Sequence, residues 1–232
     1  MFLAGIQKLS LLDYPGLVAC TLFTGGCNFR CPWCHNAGLV LPEQLPAEET
    51  DPEEILRFLS RRQGVLDGVC VTGGEPLLHP EVPDFLRRVK ALGYRVKLDT
   101  NGSFPERLRA LAEEGLVDYV AMDVKNSPAA YAETVGIPGF RPEAVEESKD
   151  FLLTEAVDYE FRTTVVQPLH TRERLLEAAD WIRGAKVWYL QQFRDSGNLI
   201  RGGGFRAFSE EEMRQLLEAL RERLPAVRLR GV

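Results

Sequence analysis

Residues 17–36 read LVACTLFTGGCNFRCPWCHN. The first part, Leu17–Phe23, is a short apolar and β-branched run of the kind that forms a buried strand. The second part is a loop in which Cys27, Cys31 and Cys34 follow one another as Cys-x3-Cys-x2-Cys. Three of the chain's five cysteines therefore sit together directly after a strand. What they do depends on the sheet to which that strand belongs.

Five further strand candidates follow: Gly68–Thr72, Arg95–Asp99, Val117–Val124, Tyr159–Val166 and Val187–Phe193. Most successive starts lie roughly 25 residues apart, the length of a βα unit. The segments between them read as amphipathic helices. Asp51, Pro52 and Glu54 have the pattern of an N-cap, first-turn proline and capping box. Val82, Phe85, Leu86, Val89 and Leu92 share one helical face, and Gly93 closes that helix. Ser103, Glu106 and Gly115 repeat the scheme, and Thr171–Gly184 forms another such unit. The C-terminal helix, about residues 209–224, buries Met213, Leu216, Leu217, Leu220 and Leu224.

Strands alternating with helices give an α/β fold with parallel strands and right-handed crossovers. Six units predict a partial (β/α)6 barrel, with an open doubly wound sheet as the structural alternative. Either arrangement binds ligands at the carboxyl ends of the strands, so the cysteine loop, residues 24–36, lies on the functional face. No low-complexity segment or Ser/Gly linker divides residues 1–232, which read as a single domain.

Composition narrows the function. Hydrophobic and charged fractions of 45% and 27% are those of a folded globular protein. A net charge of -6 argues against a general affinity for nucleic acid or an anionic membrane. The longest apolar run is too short to span a bilayer, and Lys8 and Asp13 interrupt the N-terminal apolar stretch, which is unlike a secretory leader. The expected compartment is the cytoplasm, where clustered cysteines mean metal or redox chemistry rather than disulfides.

A structural zinc takes four ligands. Cys20 and Cys70 lie inside strand candidates and read as small buried residues, which leaves His35 as the nearest fourth ligand for a zinc site. A 4Fe–4S cluster also suits soft thiolates, and three of them leave one iron open to a non-protein ligand.

The Cys-x3-Cys-x2-Cys spacing, with Trp33 just before the last cysteine, resembles the signature of the radical S-adenosylmethionine (SAM) enzymes. The resemblance implies one 4Fe–4S cluster on Cys27, Cys31 and Cys34 whose open iron chelates the amino and carboxylate groups of SAM. Its reduction splits SAM into methionine and a 5′-deoxyadenosyl radical. The implied fold is a full or partial (β/α) barrel. VTGGEPLL is similar to the family's Gly-Gly-Glu-Pro element, and assigns Gly73, Gly74 and Glu75, ahead of Pro76, to the methionine ammonium. KLDTNGS and AMDVKN place Asp99, Thr100, Asn101 and Asp123 as acceptors for ribose hydroxyls or the ammonium. Lys125 and Arg162 are cations for the methionine carboxylate, and Gln191 and Gln192 are weaker adenosine candidates.

Within that superfamily the phrases LLDYPG, FTGGCNFRCPWCHN, GGEP, KLDTNG, AMDVKN and FRTTVVQPLH resemble glycyl-radical-enzyme activases. They are most similar to the anaerobic ribonucleoside-triphosphate reductase activating proteins. The implied partners are a glycyl radical enzyme and a flavodoxin- or ferredoxin-like electron donor. The alternatives are a radical SAM reaction on a small molecule, as in deazapurine-forming synthases, and a non-catalytic iron–sulfur or zinc protein. Residues 126–142 and the glycine-rich loop 195–208 carry no assignment beyond a connection or a surface for a partner.

Overall fold

The computed structural model describes residues 1–231. Eight strands lie side by side in chain order: β1 Leu3–Ser10, β2 Ala19–Thr24, β3 Gly68–Gly73, β4 Arg95–Thr100, β5 Tyr119–Asp123, β6 Asp158–Val165, β7 Trp188–Gln192 and β8 Val227–Arg230. β2 through β8 are parallel, and β1 runs antiparallel to β2. The six strands expected from the sequence are β2 to β7. β1 and β8 extend the sheet at its two edges, and the sheet remains open because it runs linearly from one to the other.

The helices are α1 Ala37–Val40, α2 Pro52–Ser60, α3 Val82–Ala91, α4 Pro105–Glu113, α5 Tyr131–Val135, α6 Glu143–Leu153, α7 Arg172–Trp181 and α8 Glu210–Arg221. α2, α3, α4, α6, α7 and α8 belong to the crossovers that keep the strands parallel. Among the described residues no helix is long and apolar enough to cross a membrane.

Local chemistry explains most element ends. Asp51 accepts the Glu53 N–H at 2.9 Å and Pro52 opens α2. The expected reciprocal bond from Glu54 is absent, because its carboxylate faces Arg57 at 3.9 Å. Ser103 is not a cap either. Phe104 precedes α4, and the Ser103 hydroxyl serves the loop below. The full capping box is at α8, where Ser209 Oγ accepts the Glu212 N–H at 3.2 Å and Glu212 accepts the Ser209 N–H at 2.6 Å. Two acceptors there satisfy backbone N–H groups that the first helical turn leaves without partners.

The central strands are buried on both faces, yet those faces differ. Val96, Leu98, Val120, Met122 and Phe161 belong to the apolar core, whereas Lys97, Asp99, Asp123, Glu160 and Arg162 alternate with them. The concave side is thus lined by charges that must pair with one another. Glu160 is 1% exposed, accepts the Tyr119 hydroxyl and two N–H groups of Arg230, and thereby links β5, β6 and β8.

Ser209→Ala removes one half of the reciprocal cap on α8. Equilibrium unfolding in urea should show a loss of about 1 kcal/mol with an unchanged denaturant slope, since the surface exposed on unfolding is the same.

Candidate active site

The carboxyl ends of β2 to β7 surround a cavity of about 500 Å³. The cysteine loop leaves β2 at Gly25 and is fixed to the end of β3 chiefly by backbone, with Thr24 Oγ1 donating to Thr72 O at 3.1 Å. Gly74 N–H donates to Thr24 O at 2.9 Å, and Glu75 N–H donates to Gly26 O at 2.9 Å. A Cβ on Gly74 would lie 1.9 Å from Gly26 O, and one on Gly73, at φ +121°, 2.3 Å from Thr24 O. Two glycines are needed for this packing before any ligand is considered.

The opposite side of the loop rests on residues 126–142. Arg30 N–H donates to Val135 O at 2.9 Å, and the Trp33 indole N–H donates to Thr134 O at 3.2 Å. Phe29 meets Phe140 edge-on with ring centroids 5.1 Å apart. Gly136 closes α5 at φ +69°, where a Cβ would come within 2.1 Å of Arg30 O. The segment that carried no assignment in the sequence is therefore the bed of the cysteine loop. Loop 195–208 touches it from a third side. Ile200 N–H donates to Cys34 O at 3.3 Å, and Arg201 N–H donates to Pro32 O at 2.9 Å.

Cys27, Cys31 and Cys34 are free thiols on the wall of this one cavity. Burial pushes Cys27 up to about 11 and Cys31 up to about 12, and it raises Cys34 as well. Bare, they stay protonated at neutral pH and are poor nucleophiles. A metal centre supplies the positive charge that deprotonates such thiols. Among the described residues no three His, Cys, Asp or Glu side chains converge on a single-ion position. The three thiols instead share a roomy wall, which suits a cluster where each thiolate takes a different iron. Cys20 and Cys70 are buried in β2 and β3, as expected, and Cys70 sits 3.8 Å from both Lys97 Nζ and Asp99 Oδ1.

Across the same cavity is a half-buried ion-pair chain. Arg162 donates through Nε to Asp123 at 3.0 Å and through Nη1 to Asp99 at 3.1 Å. Lys125 pairs with Asp123 at 2.9 Å, and Lys97 pairs with Asp99. Burial alone would raise Asp123, but Arg162 and then Lys125 outweigh it and hold the carboxyl down at about 2. Asp99 is likewise lowered, with Arg162 and Lys97 outweighing burial. Three cations and two carboxylates leave one positive charge in surplus beside the cavity. The Lys125 ammonium also lies 5.5 Å from the Trp33 ring centroid.

Every residue named from the sequence lies in this region, although Asp99, Asp123 and Glu75 have partners that the sequence did not suggest. Both Asp99 oxygens are engaged by Lys97 and Arg162, although Asp99 lines the cavity. Glu75 is 0% exposed and stands behind the wall. Its carboxylate accepts the Leu77 N–H at 3.0 Å, the Thr100 hydroxyl at 2.8 Å and the Asn101 N–H at 2.7 Å. Burial pushes Glu75 up to about 7 against those three bonds. Here Glu75 braces the end of β4 against β3. Asn101 in turn donates to Asn28 Oδ1 at 2.9 Å, tying that end to the cysteine loop. Trp33, Gly73, Gly74, Thr100, Asn101, Asp123, Lys125, Arg162, Gln191 and Gln192 all border the cavity. Sequence reasoning missed Asn28, Phe29, Arg194, Ser196 and Ile200. The adjacent cysteines were the available signal for the first two, and the last three lie on a loop with no periodic pattern.

The family model for the Radical SAM superfamily matches residues 21–182. The chain belongs to that superfamily. Its members bind a 4Fe–4S cluster and SAM, the chemistry that three free thiols beside a surplus cation accommodate. Among curated relatives, a Methanocaldococcus jannaschii protein provisionally named as a glycyl-radical enzyme activating enzyme is 33% identical over 198 residues, 82% of this chain and 79% of that one. The 7-carboxy-7-deazaguanine synthase of Aquifex aeolicus is 27% identical over 175 residues, 71% of this chain and 74% of that one. Streptococcus suis SuiB, solved bound to S-adenosylmethionine, superposes with a TM-score of 0.71 at 13% identity over 90% of this chain. This chain covers 49% of SuiB, and the likeness is one of fold.

Glu75→Gln tests the bracing role. Either orientation of the amide turns an NH₂ toward a backbone N–H, of Leu77 or of Asn101, and leaves it unpaired. Thermal melts of the metal-free protein should show a stability loss of about 1–3 kcal/mol, although the side chain hardly changes in size.

Proposed function

We propose that this radical SAM enzyme is an activase: it installs a glycyl radical on a partner enzyme, such as an anaerobic ribonucleotide reductase, and works in the cytoplasm with a flavodoxin- or ferredoxin-like donor. When bound, the cluster and SAM together supply a one-electron reductive cleavage that yields a radical strong enough to take hydrogen from a glycine Cα. Cys27, Cys31 and Cys34 are the residues that would hold the cluster. The surplus positive charge at Lys125 and Arg162 would orient the methionine carboxylate, Arg162 through its planar fork and Lys125 as a point charge. Backbone carbonyls at Gly73 and Gly74 would accept from the ammonium. Thr100, Asn101, Gln191 and Gln192 border the space left for the adenosine. Hydrogen-atom transfer needs no general acid or base, so the chain's tasks are to bind, to orient and to exclude water.

The observation that carries this reading is the similarity to the M. jannaschii relative across most of both chains, joined to three free thiols and a cationic wall on one cavity. The open sheet is consistent with a polypeptide substrate, because its edges β1 and β8 do not close on each other. The likeness to the A. aeolicus synthase favours a second reading, a small molecule as hydrogen donor.

Anaerobic reconstitution with iron and sulfide, followed by reduction and addition of SAM, should release 5′-deoxyadenosine. Adding a glycyl-radical enzyme should then give the electron paramagnetic resonance doublet of a glycyl radical. Turnover with a metabolite and no doublet with any such partner would replace the activase by the second reading. Cys31→Ala should abolish 5′-deoxyadenosine formation, and a variant that still cleaves SAM would rule out the cluster assignment.

A further inference from the structure

His170, the last residue of FRTTVVQPLH, lies in the turn that leaves β6, has no role assigned above, and is 2% exposed. Its hydrogen bonds settle its tautomer. Nδ1 lies 3.1 Å from both the N–H and the carbonyl oxygen of Val166, and Nε2 lies 2.8 Å from Lys125 O. Lys125 O can only accept, so the neutral tautomer that satisfies both ends of the ring carries its proton on Nε2, donates it to Lys125 O and accepts the Val166 N–H at Nδ1. Burial lowers the imidazole below its ordinary range and keeps it neutral. The ring also meets Trp33 edge-on, with centroids 6.4 Å apart. One side chain therefore touches both the residue before the last cluster cysteine and the backbone of the cation proposed for SAM.

Neighbouring bonds reinforce the same stretch. Thr163 Oγ1 donates to Val124 O at 2.6 Å. Asn126 Nδ2 donates to Thr134 Oγ1 at 2.9 Å and to Leu169 O at 3.1 Å. Thr134 O is the acceptor for the Trp33 indole. Val124 N–H makes the last backbone bond to β6, to Arg162 O at 2.8 Å, and beyond it these side-chain contacts stand in for the strand ladder. At Lys125 the carbonyl is held by His170, and the ammonium projects to Asp123 and the Trp33 face. The Lys125 N–H donates to Tyr131 Oη at 3.3 Å, so the His170 bond is the restraint on the carbonyl side of the residue, and losing it would loosen the peptide that follows Lys125.

We infer that His170 is a positioning residue for SAM binding: its Nε2–H bond to the Lys125 carbonyl sets the place of the Lys125 ammonium opposite the cluster loop. The inference rests on the reading of Lys125 as a partner of the SAM carboxylate.

Two amides separate the two bonds of the ring. An Asn at position 170 reaches the place of Nδ1 and can keep the Val166 bond. A Gln reaches the place of Nε2 and can keep the bond to Lys125. The measurement is the equilibrium dissociation constant of SAM for the reconstituted, oxidised holoprotein, with cluster content and melting temperature determined on the same samples. His170→Asn should weaken SAM binding roughly tenfold, the loss of one buried hydrogen bond, whereas His170→Gln should stay close to wild type. Leu216→Ala, in α8 and away from the cavity, should lower the melting temperature without moving SAM affinity.

Equal affinities for the Asn and Gln variants, or a weaker Gln variant, overturn the inference. Lys125→Met distinguishes its two possible failures. If Lys125→Met binds SAM as tightly as wild type, the carboxylate reading fails and the positioning role falls with it. If Lys125→Met binds weakly while His170→Asn is unaffected, only the positioning role is wrong.

Discussion

Arg162 spans Asp99 and Asp123, and most of the site's geometry follows from that bridge. The three residues come from β6, β4 and β5, and all are half-buried at the cavity. A charge partly withdrawn from water gains from a partner held at hydrogen-bond distance, so each of the three stabilises the others there. The bridge therefore fixes the relative positions of three strand ends. Lys97 and Lys125 extend the chain at each end, and its three cations exceed its two carboxylates by one in a protein of net charge -6. That local reversal of sign suits an anionic group bound at the site.

The cysteine loop is held in a different way. Its contacts with β3, α5 and loop 195–208 are mostly backbone hydrogen bonds and close glycine approaches. A metal-binding loop fastened by its main chain keeps its thiols free for the metal. Residues 126–142, longer than the links from β3 to α3 and from β4 to α4, supply Thr134, Val135, Gly136 and Phe140 to this fastening. The extra length serves the loop's position as well as the chain's path. Glu75 and Asn101 complete the arrangement by tying the ends of β3 and β4 to each other and to Asn28.

The parts of the fold legible in the sequence are those governed by neighbours along the chain. β2 to β7 stand out because each is a short apolar run between helical patterns, and α8 stands out because Met213, Leu216, Leu220 and Leu224 recur at helical spacing. β1 escaped notice because LAGIQKLS mixes a glycine and polar residues, as suits an antiparallel edge strand with one face toward solvent. β8 has four residues and alternates with arginines, too short a run to carry a signal. Ser103 looked like a cap by spacing, but Asn28 and Asn101 offered its hydroxyl stronger partners.

By itself the sequence determined the superfamily, the order of strands and helices, and the loop that carries the thiols. Periodicity, turn chemistry and cysteine spacing act over a few residues and survive without a fold. Only the tertiary structure decided that Glu75 braces rather than lines the cavity, that Asp99 and Asp123 are ion-paired, and that His170 reaches Lys125. Each of these depends on groups brought together from 25 to 63 positions apart. Hydrogen bonds and ion pairs act over a few ångströms in space, and separation along the chain does not reveal them.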